Sequence, residues 1–322
     1  ESFFEYKVSL NSSDLVVGQN YIVDQKETQV TLKNGEAQTA KWYQFRIPIR
    51  SGIPINNISD FNSIRFIRMF MTNFKMPVIL RFGELDLVRG DWRRYTRTLD
   101  PEITPDLPLE QQDLNDFEVG VVNIEQNEGR YVLPPGIERE RLQGSTTVQQ
   151  QNEQSVTLKV TNLPQDKVRA IYKNISVDLR RYKELKMFLH AEPVIVNGVD
   201  DDELTAIIRL GTDLNDNFYQ IEIPLKISTY GSLAPLDVWP EANNLDATLE
   251  KLGKIKLARD VANAPINELF TASSSDSGEL VLRVKGNPTL SQIRTIMLGV
   301  RNNSPLEKSA EIWFNELRSA GF

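Results

Sequence analysis

The residues that could carry chemistry in this chain are few. Among 322 residues there is one histidine and no cysteine, so disulfides, thiolate sites and multi-histidine metal centres are excluded. His190 follows Met187, Phe188 and Leu189, and a lone imidazole beside an apolar run reads as a packed or half-exposed strand residue. Asp200, Asp201, Asp202 and Glu203 follow Gly198 and offer the oxygen density that a hard cation takes. Their spacing fits no calcium loop, so a solvated hairpin tip is the favoured reading. Arg89, Arg93, Arg94 and Arg97 form the densest basic cluster, close to Asp86 and Asp91, and a partly self-paired strand end is favoured there over an anion site. Serine-elbow, phosphate-loop and His-Glu-x-x-His patterns do not occur. Glycoside hydrolysis needs two carboxyls about 5–10 Å apart across a cleft, whereas Glu84 and Glu316 occupy matching places in two related segments. Sugar binding would need exposed aromatic platforms, and Trp42, Trp92, Trp239 and Trp313 are the candidates. Trp313 lies between Ile312 and Phe314 in an alternating run, so it points away from both and reads as covered by a neighbouring sheet or by a helix near Leu249. The expectation is no catalytic residue, no cofactor site and no metal site.

The frame that must hold these residues is mostly strand. Phe4, Tyr6, Val8 and Leu10 alternate with Glu5, Lys7 and Ser9; Tyr219, Ile221, Ile223 and Leu225 alternate with Gln220, Glu222 and Pro224. Period-two patterning of this kind marks a strand with one face on a core. Val156, Leu158, Val160 and Leu280, Leu282, Val284 repeat it. Residues 64–71 and 293–300 are apolar on both faces for several positions, as in central strands covered on each side. One helix is predicted from Leu245, Leu249, Leu252, Ile255 and Ala258, with Lys251, Lys254, Lys256 and Arg259 outward; Gly253 inside it costs up to about 1 kcal/mol relative to alanine. A further turn of helix is expected within 178–185.

Composition sets outer limits. A 40% apolar and 25% charged chain is an ordinary globular one, and its length suits roughly two domains of about 150 residues. A net charge of -7 disfavours nucleic-acid binding, which requires a clustered basic surface. No stretch reaches the roughly 18 apolar residues of a spanning helix. Arg65 and Arg68 interrupt the apolar run at 64–71, and a barrel strand would lose roughly 2–4 kcal/mol for an arginine at mid-bilayer. The expectation is no membrane-spanning segment within the chain.

Two segments are diverged copies of one another, which signals a repeated supersecondary unit. Phe61, Ile64, Arg65, Ile67, Met69, Met71 and Asn73, then Phe82, Gly83, Glu84 and Leu85, match Leu290, Ile293, Arg294, Ile296, Leu298, Val300 and Asn302, then Phe314, Asn315, Glu316 and Leu317. Upstream, Phe3, Phe4, Tyr6, Val8 and Leu10 match Phe218, Tyr219, Ile221, Ile223 and Leu225. The second copy is preceded by a long strand-rich part, roughly 117–206, with no equivalent before the first. Pro101, Pro105 and Pro108 among polar residues mark a linker, since proline fixes φ and lacks a donor, and 144–154 reads as an exposed loop. The expected organisation is a C-terminal half of a first β-sandwich at residues 1–98, a Pro-rich linker at 99–116, and a second, complete sandwich at 117–322. The missing opening strands would be carried elsewhere.

Several strings resemble a known family. Phe45-Arg46-Ile47-Pro48-Ile49, Asp60 to Phe70, Pro77 to Phe82 and Leu87 to Tyr95 resemble the SprA/Sov family, as do Val284 to Pro288, Gln292 to Met297 and Ala310 to Arg318. That resemblance implies a segment of a giant outer-membrane translocon of the type IX secretion system of Bacteroidota, linked to gliding motility. It implies a noncatalytic scaffold, or closure of the pore mouth, facing the periplasm or the cell surface. Its implied partners are the rest of the translocon polypeptide, an outer-membrane β-barrel protein and the secreted cargo. The final strand pair also resembles galactose-binding-like jelly rolls, so the expected class is all-β, an antiparallel β-sandwich with one or two short helices. Such folds often serve as carbohydrate-binding modules, which is the alternative function.

Overall fold

Alternating apolar residues require a second layer to cover them, and the second half of the chain builds one. The computed structural model describes residues 2–17, 19–31, 34–58, 61, 64–75, 77–83, 85, 91–99, 107–110, 113–114, 116–124, 127, 129–139, 152–195, 198–272 and 280–321, with Arg50 and Glu316 described by backbone only. Two compact units result, Glu1–Leu87 and Val88–Phe322.

In the first unit, β1 (Phe3–Glu5) pairs with β4 (Ile53–Ile55), and β2 (Ile22–Thr31) forms a hairpin with β3 (Ala37–Phe45). Ile22 is the one fully buried residue among those described in this unit. Nothing resembling a filled interior surrounds it.

The second unit contains β5 (Arg93–Arg94), β6 (Phe117–Asn123), β7 (Gln154–Leu163), β8 (Val168–Val177), β9 (Glu184–Pro193), β10 (Leu204–Gly211) and β11 (Phe218–Pro224). A short helix α1 (Pro235–Val238), β12 (Leu245–Thr248) and the helix α2 (Leu249–Val261) follow. The chain then forms β13 (Phe270–Thr271), β14 (Val281–Lys285), β15 (Ile293–Asn302) and β16 (Lys308–Ala320). One sheet has the order β13-β14-β11-β10-β15-β8-β5 and the other β12-β9-β16-β7-β6. Every pairing is antiparallel. Leu204, Ala206, Ile208 and Leu210 on β10, Tyr219, Ile221 and Ile223 on β11, and Ile296, Leu298 and Val300 on β15 line one wall of the core. Leu158 and Val160 on β7, Leu185, Met187, Leu189 and Ala191 on β9, and Ala310, Ile312 and Phe314 on β16 line the other. This is a β-sandwich, and each buried Leu or Ile stabilises it by about 1.5–3 kcal/mol.

Three local expectations change. Leu245 begins a strand instead of the helix, because Leu245 to Thr248 pair along β9 in register Leu245↔Met187 before the chain turns helical at Leu249. Arg259 is buried instead of outward: its guanidinium donates to the Gly286 carbonyl and meets Asp260 at 3.1 Å. An arginine can bury its stem wherever its head finds acceptors. The segment leading into β9 is a turn closed by Tyr182 N–H to Leu179 O at 3.1 Å, with no helix.

The division between units falls ahead of the Pro-rich stretch. Arg93 and Arg94 add to the edge of β8, and Tyr95 and Leu99 are buried with Val168, Ala170, Ile207 and Met297 on the outer face of the larger sheet. Pro108 lacks a donor, so the flanking residues carry the bonds there: Thr98 donates to Leu107 O at 2.7 Å and Leu109 donates to Thr96 O at 3.0 Å.

Both upstream matching strands pair antiparallel: β1 on β4 aligns Phe3↔Ile55 and Phe4↔Pro54, and β11 on β14 aligns Phe218↔Lys285 and Tyr219↔Val284. Phe4 stacks on Phe61 at 4.0 Å, and their matches Tyr219 and Leu290 belong to one core cluster.

Gly286 has φ +68°, and a Cβ there would stand 1.8 Å from the Asp216 carbonyl oxygen. Gly286→Ala is therefore expected to destabilise the second unit by about 2–3 kcal/mol. Gly253, in α2, has open space where a Cβ would go, so Gly253→Ala should stabilise by up to about 1 kcal/mol. Equilibrium urea unfolding checks both signs.

Candidate functional site

Two places gather groups that could act: a buried polar and aromatic cluster on the smaller sheet, and a bare apolar run in the first unit. The cluster arises from register. β9 and β16 align His190 with Trp313 and Glu192 with Glu311, so all four side chains share the face away from the main core. The His190 ring stacks on Trp313 at 3.8 Å with 23° between planes. Trp239, at the end of α1, closes over both, and its Nε1 donates to Val132 O at 2.8 Å. Tyr131 lies 5.9 Å from Trp313 and accepts from Asn315 Nδ2 at 2.5 Å. Val122 and Val238 complete the patch.

Charge in the cluster is matched internally. Arg130 bridges Glu192 and Glu311, meeting the latter at 3.0 Å, and its guanidinium lies 5.3 Å from the Trp313 ring centre. Trp313 Nε1 donates to Glu311 at 2.9 Å. His190 Nδ1 donates to Val238 O at 2.7 Å, and its Nε2 lies 3.4 Å from Glu192. Burial alone would raise the Glu192 carboxyl, but His190 and Arg130 more than offset it and hold it at about 2. His190 is 3% exposed, so the arrangement fixes two strands together and offers no open approach to a substrate.

The larger sheet carries a second such network. Glu222, 2% exposed, lies 2.7 Å from Arg283 and 2.8 Å from Arg301. Gln220 donates to Glu222 at 2.7 Å and accepts from Arg209 Nε at 3.0 Å. Burial pushes the Glu222 carboxyl up, yet Arg301 and Arg283 leave it below its ordinary value.

The other sequence candidates fall in separate places. Asp201 and Asp202 pair with Lys226, at 3.8 and 2.6 Å, and Glu203 pairs with Lys308 at 2.5 Å; the acidic run is not a hairpin tip but the end of the crossing from β9 in the smaller sheet to β10 in the larger, engaged by lysines. Arg94 donates to Leu114 O at 2.6 Å and lies over Phe117, and Asp91 meets Lys173 at 3.1 Å. Arg89, Asp86 and Glu84 lie outside the described residues, as does the Glu316 side chain. Trp239 and Trp313 are fully buried, and Trp92 packs on the main core. Trp42, on β3, is 40% exposed. Arg130 was not singled out by sequence; its partners are 62 and 181 residues away, beyond the reach of local pattern.

The bare run is the largest departure from expectation. Residues 64–75, 77–83 and 85 carry no strand or helix, and every one is exposed. Met69 is 60% exposed, Phe82 66% and Ile79 90%. The matches of Met69 and Phe82 lie in central strands: Leu298 in β15 is 2% exposed and Phe314 in β16 4%.

Fold and surface together define an all-β protein of the sandwich class, with its buried ionic groups paired in structural networks and a long apolar run uncovered. Over residues 1–322 the chain matches the SprA_N family, described as motility related/secretion protein, and it belongs to that family. No curated protein matches it.

The Glu192 carboxyl sits at about 2 in the fold against an ordinary 4.5, so its contribution is fully present above about pH 4.5 and is lost as pH falls toward 2. Urea midpoints of the second unit should decline across that window. Glu192→Gln should lower the midpoint at pH 7, by up to about 3 kcal/mol, and flatten the acid limb; an unchanged acid limb would show that the carboxylate contributes nothing.

Proposed function

We propose that this chain is a noncatalytic segment of the type IX secretion translocon, acting as scaffold or partial closure at the pore mouth, on the periplasmic or cell-surface side of the outer membrane. The match to a secretion and motility family over residues 1–322 carries this reading. Paired polar networks support it. Glu192 is held by Arg130 and His190, and Glu222 by Arg283 and Arg301, on sheet faces, which suits a rigid spacer and not a reaction centre that must exchange partners with substrate. The jelly-roll likeness is also part of the proposal: the last two strands, β15 and β16, lie centrally in opposite sheets. Among the described residues no helix is long and apolar enough to cross a membrane. On this reading attachment comes through the rest of the translocon polypeptide and a β-barrel partner, with secreted cargo passing by.

A carbohydrate-binding role is favoured by one observation, the exposure of Trp42. Titration of tryptophan fluorescence with cell-surface oligosaccharides separates the readings, and no saturable quenching is expected. Quenching abolished by Trp42→Ala would establish the sugar-binding role in its place. In the native host, an affinity tag on the chain should recover an outer-membrane complex containing a β-barrel protein. Recovery free of envelope proteins would overturn the secretion reading.

A further inference from the structure

We propose that the bare run at 64–85 is an acceptor for a four-stranded antiparallel β unit, carried by polypeptide outside residues 1–322 and built like β7 to β10. The inference rests on the duplication and stands independently of the secretion reading. In the second copy, β15 lies between β10 and β8, and β16 lies between β9 and β7. Among the described residues of the first copy the matching run has no strand neighbour. Ile67, Met69 and Met71 match Ile296, Leu298 and Val300; the former are 58%, 60% and 55% exposed and the latter at most 2%. Residue type is kept while burial reverses, so the difference lies in the partners and not in the run.

The upstream strands of both copies pair antiparallel, β1 with β4 and its match β11 with β14. In the second copy β10 bridges β11 and β15. Among the described residues β1 has β4 as its single strand neighbour, so one donor strand would bridge β1 and 64–73. A second would pair on the far side of that run, and two more would flank 77–85. Each large apolar side chain covered in this way leaves water, which gives the association its drive and the bare state a tendency to associate.

Among the described residues the strands of that kind, β7, β8, β9 and β10, are already paired with β15 and β16. A second copy has the same four strands equally engaged. A bilayer is disfavoured as well, since Arg65 and Arg68 lie inside the run and an arginine at mid-bilayer is destabilising. What remains is a β unit whose strands alternate apolar and polar residues, as β8 and β10 do.

Hydrogen exchange read by mass spectrometry tests this on the 1–322 chain alone and on the same sequence within its native envelope assembly. In the isolated chain, amides at 64–75 and 77–83 should exchange at least about a hundredfold faster than those of β15 and β16. In the assembly they should become protected to the level of β15 and β16. Met69→Pro removes one donor and blocks pairing; it should prevent incorporation into the assembly and leave the unfolding midpoint of the isolated chain unchanged. Equal exchange in both settings would overturn the proposal. So would protection of the isolated chain by phosphatidylethanolamine vesicles, which would make the occupant a bilayer, or protection that rises with protein concentration, which would make it a second copy. Normal incorporation of Met69→Pro with protected 64–75 would also sink it.

Discussion

A β-strand rich in apolar residues is held by what lies on its two edges and its two faces, and here one sequence pattern meets two different surroundings. Inside the second unit, Ile296, Leu298 and Val300 have β10 and β8 beside them and the smaller sheet opposite. Backbone donors and acceptors are then satisfied along both edges, and the side chains leave water. Both gains are needed, because an unpaired buried amide costs as much as the burial around it returns. In the first unit the same kinds of residue have neither neighbour, and the run neither pairs nor buries. Propensity is the same in both. Context decides.

Closing a sandwich leaves its outer faces to be dealt with, and the second unit does this with paired charge beneath aromatic cover. Glu192 is fixed by Arg130 from a turn between β6 and β7, and Glu222 by arginines of β14 and β15. Every such bond joins elements distant in sequence: Arg130 to β9 and β16, Arg283 and Arg301 to β11. A buried pair of this kind adds little net stability against an apolar alternative, but removing one partner is costly. Its effect is to penalise any register in which the partners miss. For strands apolar on both faces, where a slip would otherwise be weakly punished, that penalty specifies alignment.

Sequence periodicity carried the strands whose partners lie within the chain. Tyr219, Ile221 and Ile223 alternate in the string and face the core in space, because a half-buried strand writes its geometry directly into residue order. Leu245 shows the limit. Its spacing to Leu249 suits a helix, yet the open edge of β9 captures it as a strand, and an edge formed by residues sixty positions earlier is invisible to a window of fifteen. Arg259 shows another: a lysine-rich helix face suggests water, while the carbonyl that draws this arginine inward belongs to Gly286. The cluster at His190 was legible only as a packed imidazole. Arg130, which balances its carboxylates, sits in a stretch with no periodic signal at all.

The repeat is the one long-range signal that a single sequence does carry, and it reaches further than pattern because it compares the chain with itself. Matching residues 64–73 to β15 says which side chains should be covered, by how many strands and in what order. β1, like its match β11, pairs antiparallel with a later strand. The apolar character at 64–85 is therefore not a defect of an otherwise ordinary surface. Ile67, Met69, Met71 and Phe82 are core residues by type, exposed for want of a core, and an exposure of that kind persists in a protein only if something else completes it.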